Sequence, residues 1–270
     1  MSRMKRLILP ISIAAVLSVL GSWVIVIQEG MLIRWIEGPL GREDLSLAFF
    51  GLRKGLFYDF RAERVELKRS DTVLLGVDHF SGRIHFCSLL LGRPNLSFRG
   101  TVDGGLVDCQ ITQSRKNRQI LIRLSRLPTQ KIPFLLALGL HGKGIVTAEF
   151  VSDGRVGSLR FSISDFSFDQ KTAWGVMLPV NSFDSARGMV TIEEEKIFIR
   201  SFSLEGRGIY ARARGEIARG ILDLKIELMP NVSLVRERSS SFSLIENYKV
   251  SPGYYLIPIK VDLTGMLSAG

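Results

Sequence analysis

The stretch from Leu7 to Ile27, LILPISIAAVLSVLGSWVIVI, carries no charge along its whole length, and it constrains everything that follows. A helix rises about 1.5 Å per residue, so about 20 apolar residues match a hydrocarbon core of about 30 Å. Pro10 sits in the first turn, where a missing backbone N–H costs least. Arg3, Lys5 and Arg6 precede the run, and no acid occurs before Glu29. Cations stay on the cytoplasmic side, so the pattern predicts a single-pass anchor with a cytoplasmic N-terminus and Ile27 emerging on the far side. The competing reading is a cleaved secretory signal, whose apolar region is about 7–15 residues and ends in a small-residue cleavage site. This run is longer, and Gln28-Glu29-Gly30-Met31-Leu32 holds no such site. An uncleaved anchor is therefore the expectation.

The expected organisation is a cytoplasmic stub and transmembrane anchor over 1–28, a juxtamembrane helix over 29–41 and a β-rich domain over 42–270. Met31, Leu32, Trp35 and Ile36 recur at helical spacing, and Arg34 beside Trp35 suits a membrane interface. Gly38, Pro39 and Gly41 end that helix. The period then changes to two. Val65 and Leu67, Ile120 to Leu124, Leu159 to Ile163, Ile197 to Leu204, Leu222 to Leu228 and Ile257 to Leu263 place apolar residues mostly between polar or charged ones, with Leu121, Phe198 and Pro258 as apolar intervening residues. Such alternation predicts strands with one buried face and one wet face. Glycines such as Gly76, Gly82, Gly100, Gly188 and Gly220 punctuate these strands, and Asp103-Gly104 and Asp153-Gly154 are tight-turn dipeptides. With no crossover helices between the strands, the fold class is mainly β: a curved, mostly antiparallel sheet behind one transmembrane helix. Lys131–Leu140, KIPFLLALGL, is too short to span a bilayer and reads as a short buried helix over the apolar face, or else as a strand. Gly142-Lys143-Gly144-Ile145 returns as Gly206-Arg207-Gly208-Ile209, which suggests a sheet built from a repeated unit.

Hydrophobic residues make up 46% of the 270 residues, too many for a disordered chain of this charge. The formal net charge is +10; Arg3, Lys5 and Arg6 supply three, which leaves +7 on the rest. That excess favours anionic surfaces such as lipid head groups or acidic protein faces. An exported domain lies where nucleic acid is scarce, so no nucleic-acid partner is expected. Cys87 and Cys109 form no Cys-x-x-Cys motif; they are either a disulfide of an oxidising compartment or two buried thiols.

Nothing in the chain carries the pattern of a catalytic or cofactor site. His79, His85 and His141 give one close pair with cysteine, His85 and Cys87, where zinc needs three or four converging ligands. A nucleophile elbow, a phosphate-binding loop and a dinucleotide turn are all missing. Glu193, Glu194 and Glu195 read as a solvated hairpin loop, and Asp165 and Asp169 lie near a turn. The run Ser114 to Arg118 reads as an exposed loop. Arg207, Arg212, Arg214 and Arg219 read as a wet sheet face whose cations block edge pairing. No catalytic residue, metal ligand or cofactor is assigned, and an enzyme is not expected.

The order of segments resembles the type II secretion system protein N family, in the branch similar to AsmA-type envelope proteins. The resemblance covers nearly the whole chain. It rests on the basic start and anchor, on RAERVELKR (61–69) and TVLLGV (72–77), and on LLLGRPNLSFRGTVDGGLVD (89–108). IPFLLALGLHGKG (132–144), YYLIPIKVDLTG (254–265) and above all SFDSARGMVTIEEEKIFIRSFSLEGRGIYARARGEI (182–217) complete it. It implies a non-enzymatic periplasmic subunit, anchored in a bacterial inner membrane, that contacts other secretion components. The AsmA-like alternative is a protein that binds or conducts phospholipid along an apolar β-groove. In that case Ile120, Ile122, Phe161, Ile163, Leu224 and Ile226 line the groove, open to solvent or capped by a mobile segment; an assembly subunit instead closes the lining and leaves a strand edge for partners.

Overall fold

The computed structural model describes residues 23, 30, 33, 45–55, 58–69, 72–85, 88, 95–113, 117–131, 142–168, 182–193, 196–237, 239–243 and 245–262. Among these residues the chain is mainly β, with fifteen strands in one large antiparallel open sheet. The strands are β1 (Leu45–Phe50), β2 (Arg53–Lys54), β3 (Asp59–Arg69), β4 (Thr72–Ile84), β5 (Asn95–Val102), β6 (Gly105–Gln113), β7 (Arg118–Pro128) and β8 (Gly142–Ser152). They continue as β9 (Val156–Phe168), β10 (Phe183–Glu193), β11 (Lys196–Gly206), β12 (Ile209–Ala218), β13 (Ile221–Pro230), β14 (Lys249–Ser251) and β15 (Tyr254–Asp262). Two short helices, α1 (Val232–Glu237) and α2 (Ser239–Ser243), lie between β13 and β14. Packing divides the chain into two units, Met1–Val102 with Thr112–Arg115, and Asp103–Ile111 with Lys116–Gly270.

In the first unit β3 pairs with β1 and β2 on one side and β4 on the other, and β4 pairs with β5. Its core is aromatic. The rings of Phe60, Phe80 and Phe98 lie 5.7–6.1 Å apart, distances at which ring quadrupoles favour offset and edge contacts. Trp23, the one described residue of the uncharged run, joins this core. It has helical backbone, is 0% exposed and sits with its ring centroid 4.8 Å from that of Tyr58. Its Nε1–H donates to the Gly55 carbonyl at 2.8 Å. The polar handle of this indole is thus satisfied by protein backbone. The remainder of Leu7–Ile27 lies outside the described residues, as do Trp35 and Gly38 to Gly41. Gly30 and Ile33 are helical. Among the described residues no helix is long and apolar enough to cross a membrane.

In the second unit the strands from β7 to β13 pair in chain order, and β15 lies between β13 and β14. Alternation explains the strands. β13, ILDLKIELMP, buries Leu222, Leu224, Ile226 and Leu228 and exposes Ile221, Asp223 and Lys225. Arg219 and Gly220 connect β12 to β13 with φ of 52° and 76°, the two positive values a two-residue hairpin of this twist requires. Asp103 and Gly104 have φ of 46° and 84°, so that dipeptide turns as expected. The register shifts within the strands also have a backbone signature. Arg126 (φ 60°) sits where β7 slips against β8, and Asp165 (φ 53°) where β9 slips against β8. Such bulges bend a strand and increase its twist.

Two expectations are corrected here. Gly76, Gly82, Gly100 and Gly188 do not punctuate strands; they lie inside β4, β5 and β10, and Gly82 and Gly188 each lie directly opposite a phenylalanine. A Cβ on Gly82 would meet the Phe60 ring at 2.1 Å, and one on Gly188 the Phe161 ring at 2.4 Å. In each pair the ring occupies the space the missing side chain leaves. The two glycine motifs are not equivalent either. Gly142 to Ile145 lies within β8, whereas Arg207 and Gly208 form the turn between β11 and β12. Two short glycine matches therefore do not mark a repeated unit. Ile132 to Leu140 lies outside the described residues; Thr129–Lys131 forms a 3-10 turn before it.

Candidate functional site

The registers of the second unit align the apolar positions of eight strands into four rows that cross the sheet. One row runs Leu127, Val146, Ile163, Ala186, Leu204, Ala211, Leu228, Tyr255 from β7 to β15. The next runs Leu124, Ala148, Phe161, Gly188, Phe202, Ala213, Ile226, Ile257. The third runs Ile122, Phe150, Leu159, Val190, Ile199, Gly215, Leu224, Ile259, and the fourth Ile120, Ser152, Gly157, Ile192, Ile197, Ile217, Leu222, Val261. Apart from the Tyr255 hydroxyl, Ser152 brings the only polar side chain among these described positions. Strands lie about 4.8 Å apart and alternate residues about 6.8 Å, so the face measures about 34 Å by 20 Å. Scattered apolar residues on a surface mean little, but four contiguous rows mark a surface made to meet something apolar.

Burial differs along the rows. The first row is buried from β7 to β10 at Leu127, Val146, Ile163 and Ala186. In the other three rows Ile120, Ile122, Phe150, Leu159, Phe161, Val190, Ile192, Ile197, Ile199 and Phe202 are only half-buried. On β13 and β15, by contrast, Leu222, Leu224, Ile226, Leu228, Tyr255, Ile257 and Ile259 are all buried. There Leu234 of α1, Phe242 of α2 and Ile245 pack into the same cluster, with the Phe242 ring 5.8 Å from Tyr255. The Asn231 Oδ1 accepts from the Leu234 N–H at 2.8 Å and fixes where α1 starts. Of the six expected lining residues, Ile120, Ile122 and Phe161 are half-buried and Ile163, Leu224 and Ile226 are closed off.

The opposite face is a ladder of charge pairs. Arg123 Nε donates to Glu149 at 2.9 Å, Arg187 Nη2 to both Glu205 oxygens at 2.9 and 3.0 Å, and Arg200 Nη2 to Glu193 at 3.2 Å. Arg212 and Arg214 lie on this face, in register with Glu227 and Lys225 of β13. Arg207 and Arg219 sit at the two turns flanking β12. The arginine cluster is thus spread along a solvated face and its turns.

The remaining sequence candidates stay apart. His79 Nδ1 lies 3.4 Å from Thr101 Oγ1 and His85 Nε2 lies 3.5 Å from Ser97 Oγ, both in exposed positions on the first unit. Cys87, His141, Asp169, Glu194 and Glu195 lie outside the described residues. Among the described residues no group of three or more His, Cys, Asp or Glu is placed to hold a metal ion. Cys109 is a free thiol whose burial pushes its pKa up to about 11, against the pull of Arg118. It is therefore protonated and a poor nucleophile at neutral pH. Asp153 accepts from the Arg155 and Val156 N–H groups at 2.9 and 2.8 Å, bonds that hold its carboxyl below the usual carboxylate range. Its work is the β8–β9 turn. Sequence reasoning did not single out Leu234, Phe242 and Ile245; the one signal was apolar residues scattered through a serine-rich stretch.

Comparison of the chain with family models, with characterised proteins and with solved structures returned no match.

Proposed function

We propose that this chain is a non-enzymatic, membrane-anchored envelope protein that holds the acyl chains of phospholipids on the apolar face of its sheet. One observation carries the reading: three apolar rows across β7–β11 are contiguous, yet every position in them except Ala148 and Gly157 is only half-buried. The half-buried positions are aliphatic or phenylalanine, with Ser152 as the lone polar group, which suits hydrocarbon better than a ligand needing fixed hydrogen bonds. The open stretch across β7–β11 is about 19 Å wide. One leaflet of hydrocarbon is about 15 Å thick, so an extended acyl chain fits that width. The excess positive charge suits anionic head groups. In this proposal Leu7–Ile27 is the anchor in a bacterial inner membrane, with the N-terminus cytoplasmic and the sheet periplasmic. Its lack of charge and the cations before it support that placement.

A second reading, a subunit of the type II secretion machinery, is favoured by β14. All three of its residues are exposed and it ends the strand order, so it offers an edge to a partner strand. Half-burial of the lining weighs toward lipid. Mass spectrometry of lipid extracted from the purified, folded chain separates the two. At least one phospholipid per chain is expected; a folded chain free of lipid, whose neighbouring genes encode a secretion ATPase and pilin-like subunits, would favour the secretion reading.

A further inference from the structure

The connection from β13 to β15 is longer than the sheet requires. These strands are hydrogen-bonded neighbours, and a hairpin between them needs about two residues. Residues 231–253 are inserted there instead, and they carry α1, α2 and the short β14. The insertion turns three apolar side chains toward the sheet: Leu234, Phe242 (2% exposed) and Ile245 (1% exposed). They share one buried cluster with Leu228, Tyr255 and Ile257, the ends of the first two rows, and the Phe242 ring meets that of Tyr255. Val235 packs against the same cluster, Val232 and Val250 stand exposed, and Lys249 Nζ closes on Glu246 at 2.6 Å.

We infer that α1 and α2 form an end wall that stops acyl chains at β12, so the apolar face is a finite lipid-holding site rather than a through-passage. This rests on the lipid reading above and adds where the bound chain must end. Apolar surface that is already buried by Leu234, Phe242 and Ile245 gains nothing from a lipid tail, whereas the half-buried rows of β7–β11 still lose water when a tail arrives. Occupancy therefore concentrates on β7–β11.

The test uses the full chain in detergent, loaded with a phosphatidylglycerol bearing a photoactivatable acyl chain, with labelled peptides located by mass spectrometry. The expected map has label on β7–β11 and a severalfold lower yield on Leu222–Leu228 and Tyr255–Ile259. Equal labelling of β13 and β15 would overturn the end wall while leaving the lipid reading standing. No labelling at all would overturn the lipid reading and the end wall with it. A Leu234→Ala/Phe242→Ala variant adds a second measurement, with label on β13 and β15 rising severalfold; an unchanged map in a folded variant also overturns the end wall. If that variant does not fold by circular dichroism, the map of the unaltered chain decides alone.

Discussion

Strands β7–β11 and strands β12–β15 are written in the same sequence pattern yet are in different environments. Ile122 on β7 and Ile257 on β15 both belong to runs with apolar residues at every second position, and both lie in the apolar rows on the same side of the sheet. Ile257 is 0% exposed beneath the helical insertion, while Ile122 is half-buried. Alternation therefore decides which face is apolar and says nothing about what covers that face. Cover comes from a segment outside the alternating pattern. Where such a segment packs, the face is core; where it does not, the face is available to a ligand.

The contrast can be broken by substitution. Ile257→Ala leaves a void beneath the insertion and is expected to cost about 2–5 kcal/mol of stability. Ile122→Ala removes side-chain area that is partly in water already, and about 1 kcal/mol is expected. Urea unfolding of both variants checks this, and equal losses would remove the distinction between core and ligand face. Next in size is Gly188→Ala, whose Cβ would displace the Phe161 ring from 2.4 Å. Overpacking of this kind costs about 1–3 kcal/mol. Adding Phe161→Ala to Gly188→Ala should recover part of the loss, and a purely additive double mutant would show that the ring does not fill the glycine's space.

A smaller effect appears only at alkaline pH. Burial raises the folded Cys109 pKa from 9.0 to about 11, so the unfolded thiol ionises first as pH rises. The unfolded state then binds fewer protons than the folded one, and stability falls with pH across that interval. Cys109 should leave the urea midpoint unaffected below about pH 9 and lower it between about 9 and 11. Cys109→Ala should abolish that component of the slope. Smallest of all is Arg187→Ala on the charged face. Its pair with Glu205 is well exposed on both sides, so a change below about 1 kcal/mol is expected, shrinking further in high salt.

How far the sequence could be read follows from the same distinction. The strands at Ile120–Leu124, Leu159–Ile163, Leu222–Leu228 and Tyr254–Asp262 were legible because a wet face and a dry face impose period two on the chain itself. The Asp103–Gly104 and Asp153–Gly154 turns were legible because their backbone conformation selects the residue type. Gly82 and Gly188 misled, since their justification is a phenylalanine on another strand, and register is not visible along one strand. The motif at Gly142 and Gly206 misled for the same reason: closely similar short strings fill a strand in one place and a turn in the other. Trp23 could not be distinguished from its apolar neighbours, because only the Gly55 carbonyl and the Tyr58 ring set it apart. The helical insertion escaped because its anchoring residues have no period and come from a serine-rich stretch.

The central claim is that one face of the sheet over β7–β11 takes acyl chains and the other does not. Leu159 and Ser158 are consecutive on β9, point to opposite faces and are both half-buried. The decisive measurement is bound phospholipid per folded chain in Leu159→Asp and in Ser158→Asp. The first variant should lose most of its lipid and the second should match the unaltered chain. Equal lipid content in the two variants would contradict a face-specific lipid site.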